Sequence, residues 1–168
     1  MADEDAGVRA TALGALVRMG RLHDDAIARA LSDTSALVRV RAAELAGSLR
    51  GADYLPLLSD ADSSVVEAAC FAVGEVRDPR AVRELCRIAS SHEDALCRES
   101  AVAALGAIGD PAGLPAILAA LEDRPAVRRR AVIALAPFEG REVQEALERA
   151  LGDRDWQVRQ AAEDQLRP

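Results

Sequence analysis

The 168-residue sequence predicts an all-α fold, an α-solenoid of about five and a half helical hairpins, on three observations. An apolar anchor returns at Val8, Val38, Val65, Cys97, Val127 and Val158, in steps of 30, 27, 32, 30 and 31 residues, a period that marks stacked repeats. Alanine stands four residues past every anchor, at Ala12, Ala42, Ala69, Ala101, Ala131 and Ala162, where a small side chain lets a neighbouring helix come close. Half of the residues are hydrophobic but only 2% are aromatic, so the core must be built from Ala, Leu, Val and Ile. That composition suits closely spaced helices better than a β-sandwich.

Each repeat opens with a leading helix. Apolar or small residues recur eight past the anchor, at Leu16, Ala46, Val73, Leu105, Leu135 and Leu166, and eleven past it, at Met19, Leu49, Val76, Ile108 and Phe138. Offsets 0, 4, 8 and 11 share one side of an α-helix, so each leading helix carries a continuous apolar stripe. Acidic or hydroxylic clusters precede the anchors: Asp3 to Asp5, Asp33 to Ser35, Asp60 to Ser64, Glu93-Asp94, Glu122-Asp123 and Asp153 to Asp155. Such residues satisfy free N–H groups at helix starts.

The leading helices should end near Gly20, Gly51, Asp78, Asp110 and Gly140. Second helices follow at about 23–31, 53–59, 79–90, 111–122 and 141–151, with Pro79 and Pro111 at two of their starts. The repeats then run about 3–32, 33–59, 60–91, 92–121 and 122–152, with 153–168 as a half-repeat cap, in a single domain 1–168. Glu163 and Gln165 stand where other copies are apolar or small, as a terminal cap needs, so the array is expected to end with the chain. The second helix at 53–59 is only about two turns long, with Pro56 in its first turn, and a bend of the superhelix is expected there. Tyr54, the only tyrosine, is either an exposed anchor for a partner or a filler of the space beside that short helix.

An arginine follows the anchor in five of six copies, at Arg9, Arg39, Arg98, Arg128 and Arg159, with Val66 the interruption. Because the fork of a guanidinium matches a carboxylate, these residues are expected to form a structural ladder onto the acidic loops of the same or adjacent repeats.

The Val-Arg pair, the alanine three residues after that arginine, and the closing run Leu105-Gly106-Ala107-Ile108-Gly109-Asp110 resemble HEAT repeats, of the short kind also seen in phycobilin-lyase subunits. The likeness covers essentially the whole chain. It implies a right-handed solenoid used as a binding scaffold, with the second helices along the concave side; it leaves the partner open.

A formal charge of −7, from 21 basic and 28 acidic residues, argues against nucleic acid as the ligand, because phosphate binding rests on a basic footprint. No run approaches the roughly 18 apolar residues of a membrane span, and a cytoplasmic monomer is expected. Cys70, Cys86 and Cys97 match no metal or redox spacing and are expected to be core residues of a reducing compartment. His23-Asp24 and His92-Glu93 invite a metal reading, since the HEAT-like deoxyhypusine hydroxylases use several His-Glu pairs. Only His92-Glu93 has that form, and one pair cannot make a di-iron site. Nucleotide-binding and nucleophile motifs are absent, so neither a catalytic residue nor a cofactor is assigned. The HEAT-like DNA glycosylases would require a basic concave face with aromatic residues; Trp156 alone is expected instead to cover the end of the core.

The expected function is a non-catalytic scaffold that binds a protein partner in the concave groove. Taking residues opposite the apolar stripe of each second helix, the groove begins with a basic patch of Arg80, Arg83, Glu84 and Arg87. It continues over a bare floor of Pro115, Ala116 and Ala119 and ends with Arg141, Glu145 and Glu148. The core side of these helices is expected to hold Val82, Leu85, Ala89, Leu114, Ile117, Leu118, Leu121, Val143, Leu147 and Leu151. The alternative, suggested by the family likeness alone, is a regulatory or lyase-associated enzyme subunit, which would need a reactive Cys or His in a chromophore-sized pocket.

Overall fold

A computed structural model describes residues 3–21, 24–45 and 52–167, and every regular element among them is helical. The expected features at His23, Ala46, Leu49 and Gly51 lie outside the described residues. The chain divides into two compact units, Met1–Val76 and Arg77–Pro168.

In the first unit the leading helices are α1 (Ala6–Arg18), α3 (Ala36–Glu44) and α4 (Ser63–Glu75). The second elements are α2 (Asp24–Leu31) and a 3-10 helix, Leu55–Ser59. Helix α3 packs against α1, α2 and α4, around a core of Leu13, Ala30, Val38 and Ala42. Helix starts follow the acidic clusters: Asp5 accepts the N–H of Val8, and Asp62 that of Ser64.

In the second unit the leading helices are α6 (Ala95–Ile108), α8 (Pro125–Ala134) and α10 (Trp156–Leu166), capped at Asp94 and Asp155 in the first and last. Each is preceded by a second helix, labelled in chain order: α5 (Val82–Ser91), α7 (Leu114–Ala119) and α9 (Arg141–Ala150). Helices α5 and α7 are entered through 3-10 turns at Pro79–Ala81 and Pro111–Gly113, where proline gives up an N–H that had no helical partner anyway. Another such turn, Ala120–Glu122, closes α7. Helix α6 packs against α5 and α8, and α10 against α8 and α9.

The alanines do what their spacing implies. Ala42, Ala69, Ala101, Ala131 and Ala162 have no exposed surface. Ala12 is half-buried and Val8 is 50% exposed, because no described element packs over that face of α1. A second device for close approach is Gly106: a Cβ there would lie 2.7 Å from both Cα and Cβ of Ala134, so α6 and α8 meet backbone to backbone.

Four expectations change in detail. The apolar stripe does not reach offset 11 in α1 and α4, which stop at Arg18 and Glu75, and Met19 and Val76 are consequently exposed. Helix α8 ends at Ala134 rather than near Gly140, the intervening residues forming turns. The short helix at 53–59 is a 3-10 helix. Leu151, expected in the core, lies past the end of α9 and is exposed, while Leu114 and Leu118 on the short α7 and Leu121 in the 3-10 turn that closes it are only half-buried.

Twelve residues past their anchors, Gly20 and Gly109 take left-handed φ values of 63° and 71°, and Arg77 takes the same position with φ 51°. Arg77 thus holds a helix-terminating conformation that costs a residue with a Cβ more than it costs glycine.

Tyr54 is not an exposed anchor. It is 2% exposed, among the largest fully buried side chains, and fills space beside the 3-10 helix as the alternative reading held. Its hydroxyl has no hydrogen-bond partner among the described residues, and burial pushes the phenol up to about 12.

Candidate functional site

The arginine ladder is an inter-repeat structure. Through Nε and Nη2, Arg9 grips both oxygens of Asp33, Arg39 those of Asp60, Arg98 those of Asp123 and Arg128 those of Asp153, at 2.6–2.9 Å. Every carboxylate comes from the loop of the next repeat. The remaining nitrogen, Nη1, turns back to the arginine's own loop and donates at 2.8 Å to a carbonyl, of Asp3, Asp33, His92, Asp123 and Asp153 for Arg9, Arg39, Arg98, Arg128 and Arg159. One guanidinium therefore clamps two successive loops.

The interrupted copy changes at both ladder positions. Val66 stands where the arginine would, and His92, five residues before Cys97, stands where Asp33, Asp60 and Asp153 stand before their anchors. His92 retains the local part of the aspartate's role: its Nδ1 accepts the N–H of Asp94 at 3.1 Å, as Oδ1 of Asp33 accepts that of Ser35. The His92-Glu93 pair is accounted for by this turn, and among the described residues no group of three or more His, Cys, Asp or Glu could hold a metal ion.

Hydrogen bonds from the arginines hold Asp33, Asp60, Asp123 and Asp153 below the usual carboxylate range, with backbone N–H groups adding to the effect and burial opposing it. A carboxyl whose folded pKa is lowered binds its proton more weakly in the native state than in the unfolded chain. The four rungs should therefore contribute fully above about pH 5 and lose their contribution as pH falls through about 4 toward the folded values. Urea unfolding at pH 7 and pH 3 checks this: the midpoint should drop on acidification, and the drop should shrink in Asp33→Asn/Asp60→Asn.

Of the expected groove residues, Arg80, Arg83, Arg87, Pro115, Ala119, Arg141, Glu145 and Glu148 are exposed, and Glu84 and Ala116 are half-buried. Six of the seven charged ones are tied locally: Arg80 to Asp78 at 2.7 Å, Arg87 to Glu84 at 2.6 Å, Arg141 to Glu145 at 3.3 Å, and Glu148 to Gln144 at 2.8 Å. Val82, Leu85, Ala89, Ile117, Val143 and Leu147 are buried on the other side, as expected.

Sequence reasoning did not find the cleft between α7, α9 and the start of α10. It has a volume of about 430 Å³. Leu118, Leu121, Ala146, Ala150 and Val158 give it an apolar lining, and Glu122, Arg128, Arg149, Asp153 and Arg154 a charged one. It uses other residues of α7 and α9 than the expected groove. The signal for it was the same core assignment that placed Leu118 and Leu121 fully inside; α7 is too short for its neighbours to cover them.

Trp156 does not cover the core. It is 64% exposed, beside Arg129, Ile133 and Gln160 in a shallow depression between α8 and α10. Cys70 and Cys97 are buried, whereas Cys86 is half-buried with its Sγ 3.8 Å from the Ala112 carbonyl. Burial and then Asp110 push the Cys86 thiol up, away from the thiolate that an attacking cysteine requires. No helix among the described residues is long and apolar enough to cross a membrane.

Residues 54–136 match the family model for HEAT repeats, and residues 127–153 that for the PBS lyase HEAT-like repeat. No curated protein matches the sequence. Among solved structures, an engineered protein is similar with a TM-score of 0.68 at 21% identity, over 94% of this chain and 82% of its own. A designed armadillo repeat protein is similar with a TM-score of 0.66 at 16% identity, over 98% of this chain and 94% of its own. At these identities the structures speak for the fold alone. With the alanine spacing, the clamped loops and the family matches in agreement, the chain is an α-solenoid that belongs to the HEAT-repeat proteins.

Proposed function

We propose that this HEAT array is a non-catalytic protein-interaction scaffold, acting as a monomer without a cofactor, and that the second helices of its C-terminal unit present the binding face. The observation that carries the reading is the outward side of α7, where Pro115 and Ala119 are exposed and Ala116 half-buried, with no charge among them. An exposed helix face is normally charged, as α5 and α9 are, and a smooth strip lets another chain approach closely. Because Arg80, Arg87 and Arg141 already have carboxylate partners on their own elements, the bare strip contributes more to selection than a charge gradient along the face. The net charge of −7 supports a protein rather than a nucleic acid as partner.

Immobilised chain should capture a protein from lysate that the double variant Ala116→Arg/Ala119→Arg no longer captures, with the thermal melt unchanged. Capture that survives both substitutions would rule out this face. The lyase-subunit alternative gains nothing from the thiols, since Cys70 and Cys97 are buried and the Cys86 thiol is pushed up.

A further inference from the structure

We infer that the cleft between α7, α9 and α10 is a second, separate binding site, for a short peptide segment carrying an aliphatic side chain beside a carboxylate. It goes beyond the scaffold reading above and shares none of its residues. Two unfilled requirements meet in this cleft. Leu118 and Leu121 are only partly covered over a floor of buried Ala146, Ala150 and Val158, and an aliphatic side chain would complete that packing.

The second requirement is electrostatic. Arg149 and Arg154 are exposed at the cleft and form no ion pair among the described residues, whereas Arg128 is only 5% exposed and fully engaged. Arg154 is adjacent in sequence to Asp153 and lies within reach of its charge, but the carboxylate is turned to Arg128 and to its own turn, Oδ2 accepting from Arg128 Nε at 2.8 Å and Oδ1 from Arg128 Nη2 and the N–H of Asp155, each at 2.7 Å, and it makes no ion pair with Arg154. Two guanidinium groups are thus left for an incoming acid, in a chain that is otherwise strongly acidic.

The charge count selects a carboxylate. Three arginines against Glu122 and Asp153 leave the lining at +1, which balances one carboxylate and falls short of a phosphate dianion. A protein segment supplies the aliphatic group and the acid on adjacent residues, and the volume of about 430 Å³ has room for a few side chains.

The test is fluorescence polarisation on the intact chain with four labelled hexapeptides: alternating Leu–Glu, Leu–Lys, Ser–Glu and Leu–phosphoserine. The Leu–Glu probe should bind at least about tenfold more tightly than the Leu–Lys and Ser–Glu probes, and should weaken as salt rises. Arg149→Glu/Arg154→Glu should weaken it by about tenfold or more, and Arg149→Gln/Arg154→Gln by less, with unchanged circular dichroism melts. Ala116→Arg/Ala119→Arg should leave it unaltered, which separates this site from the proposed scaffold face. Equal binding of the Leu–Glu and Leu–Lys probes, or indifference to both arginine variants, would overturn the site. Equal binding of Ser–Glu would remove the aliphatic half, and tighter binding of the phosphoserine probe would replace the carboxylate by a phosphate.

Discussion

Replacing Gly106 by alanine is expected to destabilise the protein by about 2–3 kcal/mol, although the same change at an open helical position would stabilise it by up to about 1 kcal/mol. The sign reversal follows from what the new methyl group meets. It would lie 2.7 Å from Cα and Cβ of Ala134 and 3.0 Å from the Ala134 carbonyl oxygen, all atoms fixed to the α8 backbone. No flexible side-chain end can swing aside, so α6 and α8 must separate, and Ala101, Val102, Ala131 and Val132 lose close-packed neighbours. Urea unfolding measures the loss, and Gly106→Val should cost more again. An alanine variant as stable as the parent would mean that the two helices are not in backbone contact.

The second large effect belongs to the rung Arg128–Asp153. Asp153→Ala should cost about 2–3 kcal/mol at pH 7, because it strands a guanidinium that is almost wholly buried and also releases the N–H of Asp155. Arg128→Met should cost less, since it removes the buried charge and keeps an apolar stem in the same space. The two variants together separate loss of attraction from loss of charge compensation. If Asp153→Ala were the milder of the two, the rung would be a surface ion pair of little consequence.

The fold was legible because a solenoid writes its contacts into a repeat. The alanine column and the arginine column each have a local cause that recurs, so six copies average out the noise of any one. What escaped depended on where helices stop. Met19 and Val76 share the phase of the buried stripe but stand one residue beyond α1 and α4, and periodicity does not see an end. The same blindness hid the cleft: Leu118 and Leu121 have the phase of core residues, and only the shortness of α7 leaves them partly uncovered. Trp156 was misplaced for a related reason, since its size suggests burial while its place in the first turn of α10 turns it toward solvent. The groove row on α5, α7 and α9 was readable as exposure, but the local pairing of Arg80 with Asp78 and Arg87 with Glu84 depends on rotamers that spacing does not set.

The clamped loops give unravelling within each unit a preferred direction. When a repeat opens, its aspartate leaves the arginine of the repeat before it, and that arginine becomes a sheltered cation with only a carbonyl for company. When a repeat loses its predecessor instead, its aspartate keeps the turn N–H and its own arginine keeps the carbonyl beneath it. The first event is the dearer, so a loop that opens weakens the helix upstream more than the helix downstream. In amide exchange, Asp153→Ala should raise rates in α8, whose Arg128 loses its carboxylate, more than in α10, whose Arg159 keeps the carbonyl of residue 153.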